Sequence, residues 1–233
     1  MNIISGFFDK LGEDMLVYTW QHIYLTLIAL GIAVVLAVPT GICLARTRCR
    51  WVSSAVLGLA GVVQTIPTLA LIAFMVVLFA LIREVSGVRI QIVGFLPGLI
   101  ALVIYAVLPI LRNTYTGIRQ VDPSIVEVAR GMGMTPRQVL FRVELPLSLP
   151  VIMAGIRIAT VWTIGIAMLC GLIGAGGLGE LIFRGLRSLP RTVDYLIAGT
   201  LPAIALALIL DWMLGRIERW LTPVGLEGNK TTS

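Results

Sequence analysis

Charged residues are scarce in this sequence. Asp, Glu, Lys and Arg make up 13% of the 233 residues, whereas 58% of the residues are hydrophobic. A soluble fold could not bury that much apolar surface, so the composition is typical of a membrane protein. Several stretches continue for about 20 residues without a charged side chain, which is the length a helix needs to cross about 30 Å of hydrocarbon. The sequence therefore predicts an all-α, polytopic membrane protein.

Cysteine and histidine are also rare. The three cysteines, Cys43, Cys49 and Cys170, have no metal-ligand spacing, and their odd number implies no disulfide framework. The single histidine, His22, is expected to pack near the outer end of the first span rather than to relay protons. We predict no metal site and no cofactor on this chain.

Five apolar stretches are long enough to be membrane-spanning helices. They cover residues 18–44, 62–82, 93–112, 148–172 and 194–215. The uncharged run from residue 52 to residue 82 is too long for one crossing and too short for two. Pro67 interrupts it, and proline removes a backbone donor and bends a helix. We predict that the first half of this run is a helix along the inner membrane surface, kinked at Pro67 before the chain crosses.

The basic residues indicate the orientation of the chain. If the loops alternate between the two sides, eleven basic residues fall on one side and six fall on the other, where acidic residues offset them. Because cytoplasmic loops carry the excess of Lys and Arg, the N-terminus is predicted outside and the C-terminus in the cytoplasm. The predicted layout is an extracytoplasmic segment (1–14), a transmembrane domain (15–220) and a cytoplasmic tail (221–233). This distribution of charge gives no reason to expect a nucleic-acid partner.

The five predicted spans show no internal inverted repeat. Two mirrored halves are typical of many secondary transporters, so this pattern favours a chain that supplies half of a pore. Half of a gradient-driven secondary transporter is the alternative from another class, and a requirement for ATP would discriminate the two.

The long basic loop between the third and fourth spans, residues 113–146, has helix signals of its own, and we name it the coupling loop. Asp122 and Pro123 are typical of a helix start. Gly131 and Gly133 permit a stop or a sharp turn. Thr135 and Gln138 have the spacing of a capping box, and Pro146 ends the second helix or leads into the fourth span. We predict a short helix–turn–helix outside the bilayer.

The pattern of this loop resembles a known family. Glu127-Val128-Ala129, then Gly133, then nine residues, then Val143-Glu144-Leu145-Pro146 is similar to the "EAA" loop of ABC importer permeases, with valine for the middle alanine and for the isoleucine. The resemblance implies that the first helix docks in a cleft of an ATPase subunit, with Ala129 letting it sit deep and Gly133 allowing close approach. The implied coupling residues are Glu127, Val128, Ala129, Arg130, Gly131, Gly133, Leu145 and Pro146.

The resemblance also implies partners. They are two ATP-binding subunits, a second permease copy that is identical or a paralogue, an extracytoplasmic substrate-binding protein, and the bilayer of a bacterial inner membrane. ATP and Mg²⁺ would be bound by the ATPase, so this chain would not be an enzyme.

Two further segments resemble one branch of the family. Residues 64–70 and 174–182 are similar to segments of permeases for osmoprotectants such as glycine betaine, choline and carnitine. An importer for methionine or another small amino-acid-like solute is the alternative. Residues that would line the pore or a gate, or else only pack there, are Gln64, Thr65, Pro67, Thr68, Gly176 and Gly177.

A few polar and aromatic residues lie inside the predicted spans. Quaternary ammonium groups bind aromatic faces, so Trp20, Tyr24, Tyr105 and Trp162 are candidate contacts, although the family resemblance assigns high-affinity recognition to the binding protein. Arg157 and Asp211 lie near the cytoplasmic ends of their spans, where they are expected to reach the interface or to pair.

Overall fold

The computed structural model describes residues 3–188 and 192–222, with side chains described from residue 11 onward. Within these ranges the chain is all-α and contains no strand. The helices are α1 (Ile3–Arg46), α2 (Arg50–Thr65), α3 (Thr68–Ser86), α4 (Phe95–Arg119), α5 (Pro123–Gly131), α6 (Pro136–Val139), α7 (Leu145–Cys170), α8 (Leu178–Arg187) and α9 (Thr192–Leu221). Most of the predicted tail, from residue 223, lies outside the described residues.

Five helical segments in the described part of the chain are long and apolar enough to cross a membrane. They are Leu11–Arg46, Thr68–Ser86, Phe95–Arg119, Pro136–Ile173 and Thr192–Leu221. Many large apolar side chains on them are exposed, for example Val35 and Leu208, as expected of helices that face lipid or another subunit. The predicted class, a polytopic all-α membrane protein with about five spans, is confirmed.

The predicted interruption of the second apolar run is present. Helix α2 ends at Thr65, Ile66 is extended, and α3 begins at Thr68 immediately after Pro67. The carbonyl that this break frees at Ile66 accepts a hydrogen bond from the hydroxyl of Tyr105 on α4. An unpaired carbonyl at membrane depth would be costly, so this bond stabilises the break.

Helix α4 is the centre of the bundle, where it packs against α1 on one side and α7 on the other. Its Leu102 and Ile110 are fully buried. The α4–α7 crossing is close because Gly155 has no side chain. A Cβ there would lie 2.5 Å from the Cβ of Asn113, too near for two carbon atoms. Small residues at crossings of this kind let membrane helices approach each other.

The bundle has two ends, which we name the loop end and the glycine end. The loop end is where the C-terminus of α1 meets the coupling loop. The glycine end is where residues 174–177 contact α1. Helix α8 lies at the glycine end against α9 and was not predicted. Three of its ten residues are charged, a composition typical of a polar loop. In the structure, however, Leu178 and Leu181 on one face of α8 are fully buried.

Candidate functional site

The first residues of the coupling loop, 113–119, continue α4, and the part that follows begins with a capped helix, as the sequence predicts. The Asp122 carboxylate accepts a hydrogen bond of 2.8 Å from the backbone N–H of Ser124, and Pro123 is the first residue of α5. Hydrogen bonds from the backbone and the hydroxyl of Ser124 lower the pKa of Asp122 below its ordinary value. Asp122 therefore stays ionised and continues to cap α5 in mildly acidic solution.

The turn after α5 depends on Gly133 and on the predicted capping box. Gly133 has a φ of +82°, a left-handed conformation that residues with a Cβ rarely adopt. Thr135 donates its N–H to Oε1 of Gln138 at 2.8 Å, and Gln138 donates its N–H to the Thr135 hydroxyl at 3.4 Å. These bonds start α6 at Pro136.

The second helix of the helix–turn–helix leads into the fourth span, which is one of the two outcomes expected for Pro146. A π-helical turn, Leu140–Glu144, connects α6 to α7, so the second helix of the loop continues into the fourth span. Leu145 donates its N–H to the carbonyl of Leu140, five residues back, and the next residue, Pro146, has no N–H. Leu145 and Pro146 thus form the first turn of α7 and are partly buried.

Helix α5 presents most of its predicted coupling residues outward. The side chains exposed on it and on the following turn include those of Ile125, Glu127, Val128, Arg130 and Met132, and Gly131 and Gly133 are exposed as well. Ala129 is the exception, since it is 2% exposed and faces the chain's own α6 and π turn. Within this chain Ala129 packs inward, and the expectation that Ala129 lets α5 sit deep in a partner stays a prediction. Its small side chain lets α5 lie close to its own chain.

An ion pair that sequence reasoning missed fastens the coupling loop to the first span. Arg46, the last residue of α1, donates to the Glu144 carboxylate at 3.0 Å and to the carbonyl of Pro136 at 3.1 Å. Glu144 is 8% exposed, so its carboxylate has little contact with water and Arg46 supplies the opposite charge beside it. Its position, the variable residue before Leu145-Pro146, gave no hint of a contact 98 residues away.

A cavity of about 460 Å³ opens beside the break between α2 and α3. Its lining residues are Gln64, Thr68, Tyr105, Val161, Trp162, Gly165 and Ile166. Gln64 and Thr68 are thus the two predicted pore residues that line it. Thr65 and Pro67 are exposed and do not, and the Thr65 hydroxyl bonds within its own helix to the carbonyl of Val62 at 2.7 Å.

This cavity continues towards the loop end. A neighbouring depression of about 390 Å³ shares Val161 and Trp162 with it and adds Arg157 and Asp211. These two charged residues also line a third space of about 910 Å³ between α7 and the end of α9. The three spaces form one groove along the exposed face of α7, and we name it the α7 groove.

The charged part of the α7 groove is a tightly paired cluster. Arg157 contacts both carboxylate oxygens of Asp211, at 2.8 and 2.9 Å, and its remaining terminal nitrogen contacts Glu218 at 3.1 Å. The expected pairing of Arg157 with Asp211 is present, and the contact with Glu218, two turns further along α9, was missed. The cluster joins the fourth and fifth spans.

The predicted gate glycines lie apart from the α7 groove, at the glycine end. Gly177 donates its N–H to Oε1 of Gln21 at 3.1 Å. A Cβ on Gly176 would lie 2.5 Å from that same oxygen, and a Cβ on Gly177 would lie 3.0 Å from Nδ1 of the buried His22. Both glycines therefore pack closely against α1. Throughout the described residues, no group of His, Cys, Asp and Glu has the arrangement of a metal site.

Comparison with known proteins agrees with this architecture. Residues 37–223 match the family described as the binding-protein-dependent transport system inner membrane component. The carnitine transport permease protein OpuCB of Listeria monocytogenes is 46% identical over 223 residues, which are 96% of this chain and 95% of that protein. The glycine betaine/carnitine/choline transport system permease protein OpuCB of Bacillus subtilis is 42% identical over the full length of both chains.

The fold is also similar to that of solved transporters. A chain of the MetNI methionine ABC transporter in an inward-facing conformation superimposes with a TM-score of 0.76 at 23% identity, over 90% of this chain and 97% of that one. The family match covers most of the sequence, and the relatives align along its whole length. This chain therefore belongs to the family of inner-membrane components of binding-protein-dependent transport systems.

Proposed function

We propose that this chain is the permease subunit of an ATP-driven importer for quaternary ammonium osmoprotectants such as glycine betaine, carnitine and choline. The observation that carries the proposal is the full-length similarity to a permease named for these three solutes, at 42% identity. The chain supplies a path across the membrane, and a partner ATPase binds ATP and Mg²⁺ and hydrolyses the nucleotide.

The coupling loop is the surface that engages the ATPase. Ile125, Val128 and Met132 form an exposed apolar stripe at helical spacing, and the charged side chains of Glu127 and Arg130 flank it. A short amphipathic helix with such a stripe is suited to a groove on a partner protein. One ATPase would bind each of two permease copies, so the complex contains two of each.

Movement of α5 is transmitted to the spans by two connections. The α6–α7 helix passes through the loop without a break, so a pull on the loop moves the fourth span. The contact between Arg46 and Glu144 carries the same displacement to α1. ATP binding and hydrolysis would thereby shift the pore between inward-open and outward-open states.

The α7 groove is the half of the translocation path that this chain contributes. Gln64 and Thr68 lie on membrane-spanning or adjoining helices, and Arg157 and Asp211 carry charges on two spans. Polar and charged groups at membrane depth face protein or water rather than lipid. A second permease copy facing the α7 groove would enclose it and complete the pore.

Charge asymmetry supports the orientation. The loop end faces the cytoplasm, where the ATPase is, and the glycine end faces outward, where a binding protein delivers the solute. The N-terminus is then outside and the C-terminus inside a bacterial-type inner membrane.

Uptake by proteoliposomes tests the proposal. The chain is reconstituted with its ATPase and binding protein, and uptake of glycine betaine, carnitine, choline and methionine is measured with ATP enclosed at the ATPase side. ATP-dependent uptake of the three quaternary ammonium solutes is expected. Uptake driven by a proton or sodium gradient without ATP would favour a secondary transporter, and uptake of methionine alone would overturn the substrate class.

A further inference from the structure

We propose that Trp162, with Tyr105 and Gln64, forms a site in the α7 groove where the trimethylammonium group of the solute rests during passage. This inference rests on the proposed function and adds a binding residue on the permease itself. It is a low-affinity binding site inside the membrane, separate from the high-affinity site of the binding protein.

The indole of Trp162 is open to the groove. Trp162 is 50% exposed although it lies inside α7, about two thirds of the way along the helix. Gly165, one turn further, lines the same cavity, and a Cβ built there would meet no atom within 4 Å. The cavity that Trp162 and Gly165 both line therefore has empty space beside Gly165 that a methylated ammonium group can enter.

Tyr105 and Gln64 complete the lining with fixed groups. The Tyr105 hydroxyl is held by the Ile66 carbonyl, so the ring cannot turn away from the cavity that it borders. Gln64 and Thr68, from the two sides of the break at Pro67, add side-chain oxygens that can orient towards a cation. The cavity of about 460 Å³ is within the usual size of small-molecule sites.

The charge around the cavity favours a quaternary cation. None of its lining residues is acidic. The neighbouring acid, Asp211, is already bonded to Arg157 through both oxygens. A primary ammonium group, which must donate hydrogen bonds, would lack an anionic acceptor here. A trimethylammonium group has no N–H, and an aromatic face attracts it through the ring quadrupole.

Weak attraction is what transport requires at this point. A site on a conduction path must bind well enough to be entered and weakly enough to be left. One exposed indole face binds a cation only weakly. Removal of such a face lowers the affinity for the cation by about threefold to thirtyfold. In a symmetric pair, the second copy would present its own Trp162 to the same path.

The test measures glycine betaine taken up per ATP hydrolysed at saturating loaded binding protein, in vesicles of phosphatidylethanolamine and phosphatidylglycerol. Trp162 is replaced by site-specific mono-, di- and trifluorotryptophan, which keep the shape of the ring and withdraw its electron density. Uptake per ATP is expected to fall stepwise with each fluorine, and W162L to lose about threefold to thirtyfold. The matched control W51L, at another exposed tryptophan, should behave as wild type.

Three outcomes are informative. Equal uptake by the whole fluorinated series would overturn the site, even if W162L failed to assemble. A stepwise loss only when phosphatidylcholine is added would assign the site to a lipid headgroup and also overturn the proposal. Wild-type protein that takes up no quaternary ammonium solute would overturn the proposed function and this site with it, whereas normal wild-type uptake with a flat fluorine series overturns the site alone.

Discussion

Arg46 and Glu144 are 98 residues apart in sequence and form an ion pair of 3.0 Å at the loop end of the bundle. The two partners differ in their access to water. The Arg46 side chain is 28% exposed, whereas the Glu144 side chain is 10% exposed. Arg46 also bonds the Pro136 carbonyl, so its guanidinium has other acceptors if Glu144 is removed. Glu144 is therefore the partner that depends on the pair.

This asymmetry predicts unequal effects of two substitutions. R46M strands a buried carboxylate and should destabilise the fold by about 1–3 kcal/mol. E144L should cost less, because Arg46 can reach solvent and keep its bond to Pro136. The double variant should resemble E144L, which a cycle of melting temperatures on the purified complex would show. Equal costs of the two single changes, with simple additivity, would contradict the interpretation.

The turn after α5 predicts a difference between two neighbouring glycines. Gly133 has a left-handed φ of +82°, whereas Gly131 is the last residue of α5, and neither would place a Cβ within 4 Å of another atom. G133A should loosen the turn by about 1–2 kcal/mol through backbone strain alone. G131A, the matched control, should leave the turn intact or slightly stabilise it.

Hydrogen exchange of the α5 amides measures this difference. Exchange in G133A should accelerate about tenfold for each 1.4 kcal/mol lost, if α5 opens locally. An equal acceleration in G131A would mean that the loop tolerates any side chain poorly, for a reason other than the conformation of Gly133.

The cluster around Arg157 predicts an order of importance among its acids. Asp211 accepts two bonds from the guanidinium and Glu218 accepts one. D211N should therefore destabilise the protein by about 1 kcal/mol more than E218Q does, and so give the lower melting temperature. Thermal unfolding in detergent would measure it, and a larger effect of E218Q would show that the single bond to the end of α9 dominates.

Much of the fold was predictable because its signals are local. The length of each apolar stretch identifies the spans, and Pro67 breaks a helix whatever packs around it. The caps at Asp122 and Thr135 involve bonds across two or three residues, so sequence spacing alone identifies them. Each of these features requires only neighbouring residues.

The remaining features depend on contacts between distant segments. The residues near Glu144 in sequence do not indicate that it pairs with Arg46. The buried face of α8 forms only when α9 packs against it, so its polar sequence alone does not predict it. Ala129 suited a docking surface by pattern, yet the fold turns it inward. The sequence does not indicate that Trp162 and Tyr105 lie beside Gln64, because the three residues come from different helices that meet only in the folded chain.

The role that we propose for α5 is that of the surface through which an ATPase drives this chain. Its most direct test is the amount of ATPase subunit that co-purifies with V128D, compared with the wild type. Val128 is 62% exposed on α5, and Val88, 54% exposed in the loop after α3, provides the control V88D. A charge buried without a partner in an apolar groove costs a few kcal/mol. The account predicts that V128D retains at least about tenfold less ATPase while V88D retains as much as the wild type. Full retention by V128D would contradict the account.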